Sequence, residues 1–151
     1  MKARMLVAAL AMFGLIVAAS LNAEDKADPL AGLKCPVSGK AINPEAKVAY
    51  KDGNVYLCCN NCPKPFAANT AKFAAKANHQ LVASGQYVEK ACPFSGEKLN
   101  AETAVDVAGV KVAFCCEKCQ GKVEKAEGDA QIDLVFNDAA FAKGFEKAAA
   151  E

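Results

Sequence analysis

Leu57-Cys58-Cys59-Asn60-Asn61-Cys62 is answered 57 residues later by Phe114-Cys115-Cys116-Glu117-Lys118-Cys119. Upstream of each stretch the agreement continues. Cys35-Pro36-Val37-Ser38-Gly39 matches Cys92-Pro93-Phe94-Ser95-Gly96, and Asn43 and Glu45 match Asn100 and Glu102, all in the same register. All 8 cysteines of the chain fall into these two sets of four. The chain is therefore one thiol-rich unit written twice, and each set of thiols acts as a local site.

The ends of the chain bound what surrounds this repeat. Lys2 and Arg4 precede an apolar run from Met5 to about Ala19, followed by Leu21-Asn22-Ala23 and the charged Glu24-Asp25-Lys26. That order reads as a cleavable secretory signal over residues 1–23, too short for a membrane span of roughly 20 apolar residues. It predicts a periplasmic or secreted protein with no membrane attachment after cleavage. Residues 24–33, polar and carrying Pro29 and Gly32, read as a flexible lead-in. Once the signal is removed, 16 basic residues face 17 acidic ones, and no arginine remains because Arg4 is the only one. Without guanidinium groups, nucleic acid is not an expected partner. A single histidine, His79, and no tryptophan leave little for histidine-based catalysis, so no enzymatic activity is expected.

Two units follow, 34–91 and 92–151. In the first, Val48 and Tyr50, then Val55 and Leu57, alternate around Asp52-Gly53-Asn54, which predicts a hairpin with its turn there. The segment from Pro63 to Asn78 is rich in Ala and Lys, with Phe66 and Phe73 seven apart, and predicts one helix with His79 just beyond it. In the second unit Val105 and Val107, then Val110, Val112 and Phe114, flank Ala108-Gly109. A helix is expected from about Glu117 to Glu127, stopped by Gly128. Ile132 to Phe136 reads as a strand matching Leu81 to Ala83. A last helix is expected from Asp138 to about Ala149, capped by Asn137, with Phe141 and Phe145 on one face. The expected class is α+β: two tandem units, each a hairpin followed by a helix, plus a C-terminal helix.

The thiols carry the chemistry. A separation of four places Cys58 and Cys62 on one face of a first helical turn, and the hairpin can bring Cys35 alongside. Three thiolates suit zinc with an open or borrowed fourth ligand, or monovalent copper in a trigonal site. Two other readings stay open. In an oxidising compartment four cysteines per unit can form structural disulfides. The pairs Cys59-Asn60-Asn61-Cys62 and Cys116-Glu117-Lys118-Cys119 also have redox spacing, without a thioredoxin-like strand and helix order around them.

At these residues the chain resembles the YHS and TRASH metal-binding domains of the treble-clef zinc superfamily. Their pattern is a turn ending in Gly, a hairpin, an aromatic near a Cys, then three residues and a Cys opening a helix. It is carried here by Cys35 to Gly39, Asp52-Gly53, Tyr56-Leu57-Cys58, Cys62 and Phe66, and again by Cys92 to Gly96, Gly109, Phe114-Cys115 and Cys119. The chain departs from the family in having Ser38 and Ser95 where members often place a Cys, and Cys59 and Cys116 where they often have Ser. The resemblance implies two treble-clef-like units with Cys35, Cys58 and Cys62, and Cys92, Cys115 and Cys119, as metal ligands. Cys59 and Cys116 are then a fourth ligand or an exchange thiol. The implied cargo is zinc or monovalent copper, the partners are the metal ion and a metal-donor or acceptor protein, and the role is binding, delivery or sequestration.

Overall fold

A computed structural model describes residues 28–149, so the signal-sequence expectation for residues 1–23 lies outside the described residues. After turns at residues 29–32 the chain forms a hairpin of β1 (Asn43–Tyr50) and β2 (Gly53–Leu57), then α1 (Pro63–Ala68), α2 (Thr70–Ala83) and β3 (Tyr87–Glu89). The second unit repeats this with β4 (Asn100–Val107), β5 (Val110–Phe114), α3 (Glu117–Glu124) and α4 (Asp129–Phe136). It closes with α5 (Asp138–Gly144) and β6 (Phe145–Lys147). The class is α+β, with three separate two-stranded antiparallel sheets, β1-β2, β4-β5 and β3-β6.

Both hairpins carry their apolar residues inward at alternate positions. Val55 and Leu57 of β2, and Val112 and Phe114 of β5, are fully buried, which at about 1.5–3 kcal/mol per large side chain fixes the face and hence the register. Each first strand has a register irregularity, between Asn43 and Lys47 and between Asn100 and Val105. Thr103 fills the second irregularity. Its hydroxyl lies within 2.8 Å of the Asn100 carbonyl and accepts from Phe114 N at 3.1 Å.

The first turn sits one residue earlier than expected. Tyr50 pairs with Gly53 across Lys51-Asp52, and the positive φ (50°) belongs to Lys51. Gly53 is needed for a different reason: a Cβ there would lie 2.7 Å from Gln86 Oε1 and 2.9 Å from Leu81 Cδ2. The second turn falls on Ala108-Gly109, as read, with φ of 51° and 87°.

Five helix and strand expectations change. The single helix over 63–78 breaks at Asn69 (φ −147°, ψ 64°), whose side chain accepts from Lys72 N and caps α2. Asparagine at a cap satisfies an amide that a continuous helix would not leave free, so the break is favoured. Leu81 to Ala83 continue α2, and Ile132 to Phe136 are helical in α4 rather than strands. A short apolar run has no periodicity that separates helix from strand, and the packing of α4 against α2 decides it. The helix over 117–127 ends at Glu124. The last helix stops at Gly144, and Phe145 enters β6.

The two units share one core. Phe145 stacks on Phe141 and packs at a tilt against Phe136, each with ring centroids 5.3 Å apart, and Tyr87 lies 5.0 Å from Phe141. Asn78, fully buried in α2, donates to the Phe136 carbonyl at 2.8 Å and to Asp138 Oδ1 at 3.1 Å. His79 lies within α2, its ring against Phe136 and Nε2 3.2 Å from the Val107 carbonyl. Burial pushes its pKa below the usual imidazole value. β3 pairs with β6 in the register Tyr87↔Lys147, Val88↔Glu146, Glu89↔Phe145. Among the described residues no helix is long and apolar enough to cross a membrane.

Candidate metal centres

Each thiol cluster is assembled from three pieces of chain. The first is the tight turn Cys35-Pro36-Val37-Ser38-Gly39, closed by Gly39 N to the Cys35 carbonyl at 2.8 Å and by Cys35 N to the Lys40 carbonyl at 2.8 Å. Gly39 adopts φ 71° to complete it, a conformation that costs glycine nothing. The second piece is the end of β2, delivering Cys58. The third is Cys62, the N-terminal cap of α1. The second unit reproduces this: Gly96 N bonds the Cys92 carbonyl at 2.7 Å with Gly96 at φ 76°, Cys115 follows β5, and Cys119 lies in the first turn of α3.

The side chain of Gln80 and that of Glu89 hold the strands that carry Cys58 and Cys115. Gln80 accepts from Tyr56 N at 2.6 Å and donates to the Tyr56 carbonyl at 2.9 Å and the Lys34 carbonyl at 3.1 Å. It thus ties the turn of Cys35 to the strand of Cys58. Glu89 accepts from Ala113 N at 2.9 Å, at the equivalent place in β5, but its other carboxylate oxygen is buried without a partner. Behind the second turn, the Gly144 carbonyl accepts from Lys90 N at 2.8 Å and Ala91 N at 3.2 Å, fixing the chain just before Cys92.

All six predicted ligand thiols are brought together in two triads. The Sγ atoms of Cys35, Cys58 and Cys62 lie within 4.8 Å of one another, as do those of Cys92, Cys115 and Cys119. Cys58 and Cys62 are 3.5 Å apart and Cys115 and Cys119 3.7 Å apart. A metal–sulfur bond of about 2.3 Å in a tetrahedral site separates sulfurs by about 3.8 Å, so these triads fit a thiophilic ion. All eight cysteines are free thiols in the structure. Cys35, Cys62, Cys92 and Cys119 are buried, whereas Cys58 and Cys115 are half-buried, so each triad opens at one corner.

The electrostatics suit a cation. Burial disfavours the Cys35 thiolate, but the Ser38 hydroxyl and the backbone amides of Ser38, Cys58 and Val37 outweigh it and bring the thiol down to about 7. Cys92 is brought to about 7 in the same way, by Ser95 and the amides of Ser95, Cys115 and Phe94. Burial, and then the neighbouring thiols, push Cys119 up to about 12 and Cys62 well above the ordinary thiol value. One thiolate per cluster thus forms readily near neutral pH. Ionising the buried Cys62 and Cys119 as well becomes favourable with a cation among the sulfurs.

The vicinal cysteines are placed differently in the two units. Cys59 is half-buried, with Sγ 3.7 Å from both Cys58 and Cys62. Cys116 is exposed, 3.6 Å from Cys115. Two groups were not foreseen as part of the sites: Ser38 Oγ lies 3.2 Å from Cys58 Sγ, and Ser95 Oγ 3.3 Å from Cys115 Sγ. Their repetition in both turns was the available signal. Comparison with protein-family models, with curated proteins and with solved structures finds no match for this chain.

Proposed function

We propose that the chain is an exported metal-binding protein of YHS/TRASH-like type, acting in the periplasm or outside the cell without catalysis. Each unit holds one zinc or monovalent copper ion through three cysteines: Cys35, Cys58 and Cys62 in the first, Cys92, Cys115 and Cys119 in the second. The ion is cargo, bound for delivery to a partner or for sequestration. The observation that carries this reading is the same three-sulfur group at ligation distance in both units. Three soft anionic donors select a thiophilic ion over calcium or magnesium. A fourth position left to a partner favours exchange over permanent structure.

Anaerobic purification of the exported protein, followed by elemental analysis and mass-spectrometric counting of alkylatable thiols, tests it. The expected result is one metal equivalent per unit, with Cys58→Ser and Cys115→Ser each losing the equivalent of its own unit. Absence of bound metal together with complete loss of free thiols, recovered by reduction, would replace this reading with a disulfide-stapled interaction domain.

A further inference from the structure

The two thiol quartets match in sequence but not in space, and the difference lies in the vicinal cysteine. The turn bond is common to both units, Cys119 N to the Cys116 carbonyl at 3.1 Å and Cys62 N to the Cys59 carbonyl at 3.3 Å, but Pro63 has no amide to extend it and opens α1, so residues 58–62 stay a turn before the helix. That turn lays Cys59 over the edge between Cys58 and Cys62, 3.7 Å from each sulfur. In the second unit, where Gln120 stands in place of that proline, α3 begins earlier, at Glu117. Cys116 is its N-terminal cap in extended conformation (φ −161°, ψ 164°), with its thiol exposed. Cys116 borders a surface depression of about 510 Å³ lined by Asn100, Cys115, Cys116, Glu117 and Lys118. The half-buried corner of the second triad, Cys115, therefore opens into a recess that already contains a further thiol.

We propose that the two centres do different work: the first retains its ion, and the second passes its ion to and from a thiol-bearing partner seated in this depression, through Cys116. The inference rests on the metal-binding reading and assigns a division of labour within it. The step is a ligand exchange without change of oxidation state. The Cys116 thiol loses its proton as its sulfur bonds the ion, the Cys115–metal bond breaks, and the released Cys115 thiolate takes up a proton. A partner thiol then displaces Cys116 by the same exchange. In the first centre Cys59 covers the equivalent approach. An ion leaving Cys58 there meets Cys59 or Cys62 before any external thiol.

The test uses the full mature chain loaded with two equivalents of zinc and an excess of a chromophoric chelator, with and without glutathione as the external thiol. Two phases of equal amplitude are expected, only the faster one accelerated by glutathione. Cys116→Ser should slow the fast phase by at least about tenfold while both equivalents remain bound, and Cys59→Ser should bring the slow phase toward the fast one. Cys58→Ser should retain only the fast phase, and Cys115→Ser only the slow one. Cobalt loaded in place of zinc reports the thiolate number of each centre by its charge-transfer absorption, independently of rate. A single rate for both ions, an unchanged fast phase in Cys116→Ser, or loss of an equivalent in that variant would each overturn the division of labour. A wild-type chain that takes up neither zinc nor monovalent copper would instead remove the metal-binding reading itself.

Discussion

Replacing Glu89 by glutamine probes a place where the two hairpins are held by different chemistry. In the first unit the Gln80 amide both accepts from and donates to Tyr56 of β2. For β5 of the second unit it is the Glu89 carboxylate, from the end of the first unit, that accepts from Ala113 N, and its second oxygen is buried without a partner. Burial, with the Cys92 thiolate adding to it, raises this carboxyl from 4.5 to about 7, against the pull of the Ala113 amide. The folded chain therefore holds the Glu89 proton more tightly than the unfolded chain. The sign follows: below about pH 4.5 both states are protonated and nothing is lost, stability falls as pH rises toward 7, and above 7 the loss is complete. At about 1.4 kcal/mol per pH unit the displacement corresponds to about 3 kcal/mol, and solvent screening of a half-buried carboxylate reduces this to about 1–2 kcal/mol. Urea unfolding of the reduced, metal-free protein at pH 4.5, 6 and 8 measures it. Glu89→Gln should match the natural chain at pH 4.5 and exceed it by about 1–2 kcal/mol at pH 8. The cysteines titrate in both proteins and largely cancel in the difference. Parallel stability curves, or a less stable variant at pH 8, would refute the argument.

Other perturbations test the packing and the sites. Asn78→Ala removes the donors to the Phe136 carbonyl and Asp138 and should cost about 2–3 kcal/mol in denaturant titration, still as one transition because the core is shared. Gly144→Ala places a Cβ 2.9 Å from Pro93 Cα and 3.0 Å from the Ala91 carbonyl. That should destabilise by about 2–3 kcal/mol and weaken metal retention by the second centre, measured by thermal unfolding and chelator competition. Gly121→Ala in α3 meets nothing within 4 Å and should instead raise stability by about 0.5–1 kcal/mol in the same unfolding assay. Because the Cys35 and Cys92 thiols are held at about 7, below the ordinary thiol value, zinc affinity should fall steeply as pH drops below 7 in equilibrium dialysis.

The hairpins, the Ala108-Gly109 turn, the Asn137 cap and the membership of both triads were legible in the sequence. Each depends on local features: alternation, turn chemistry, or a repeated register that makes two weak signals agree. What was hidden depended on partners distant in the chain. Ile132 to Phe136 carries no period, and its helical state follows from packing against α2. The break at Asn69 was written in a residue that favours caps, but an Ala- and Lys-rich segment on both sides masked it. The amide and carboxylate of Gln80 and Glu89 lie at unrelated positions of the repeat, so no comparison of the two halves pairs them. The different exposure of Cys59 and Cys116 comes from where each helix begins, a consequence of Pro63 that the cysteine spacing alone does not express.

The pairing of β3 with β6 has a consequence for how such a chain is built. In the 57-residue register of the repeat, Phe145 is the counterpart of Val88 and Glu146 that of Glu89. The register joins Tyr87 to Lys147, Val88 to Glu146 and Glu89 to Phe145. Val88 therefore faces the counterpart of Glu89, and Glu89 the counterpart of Val88. The pairing covers, with a strand of the second unit, a β3 edge that the first unit alone would leave open to another strand. Covalent linkage frees the halves from having to be identical. That freedom is what allows one cysteine to lie half-buried against its neighbours and its twin to stand exposed.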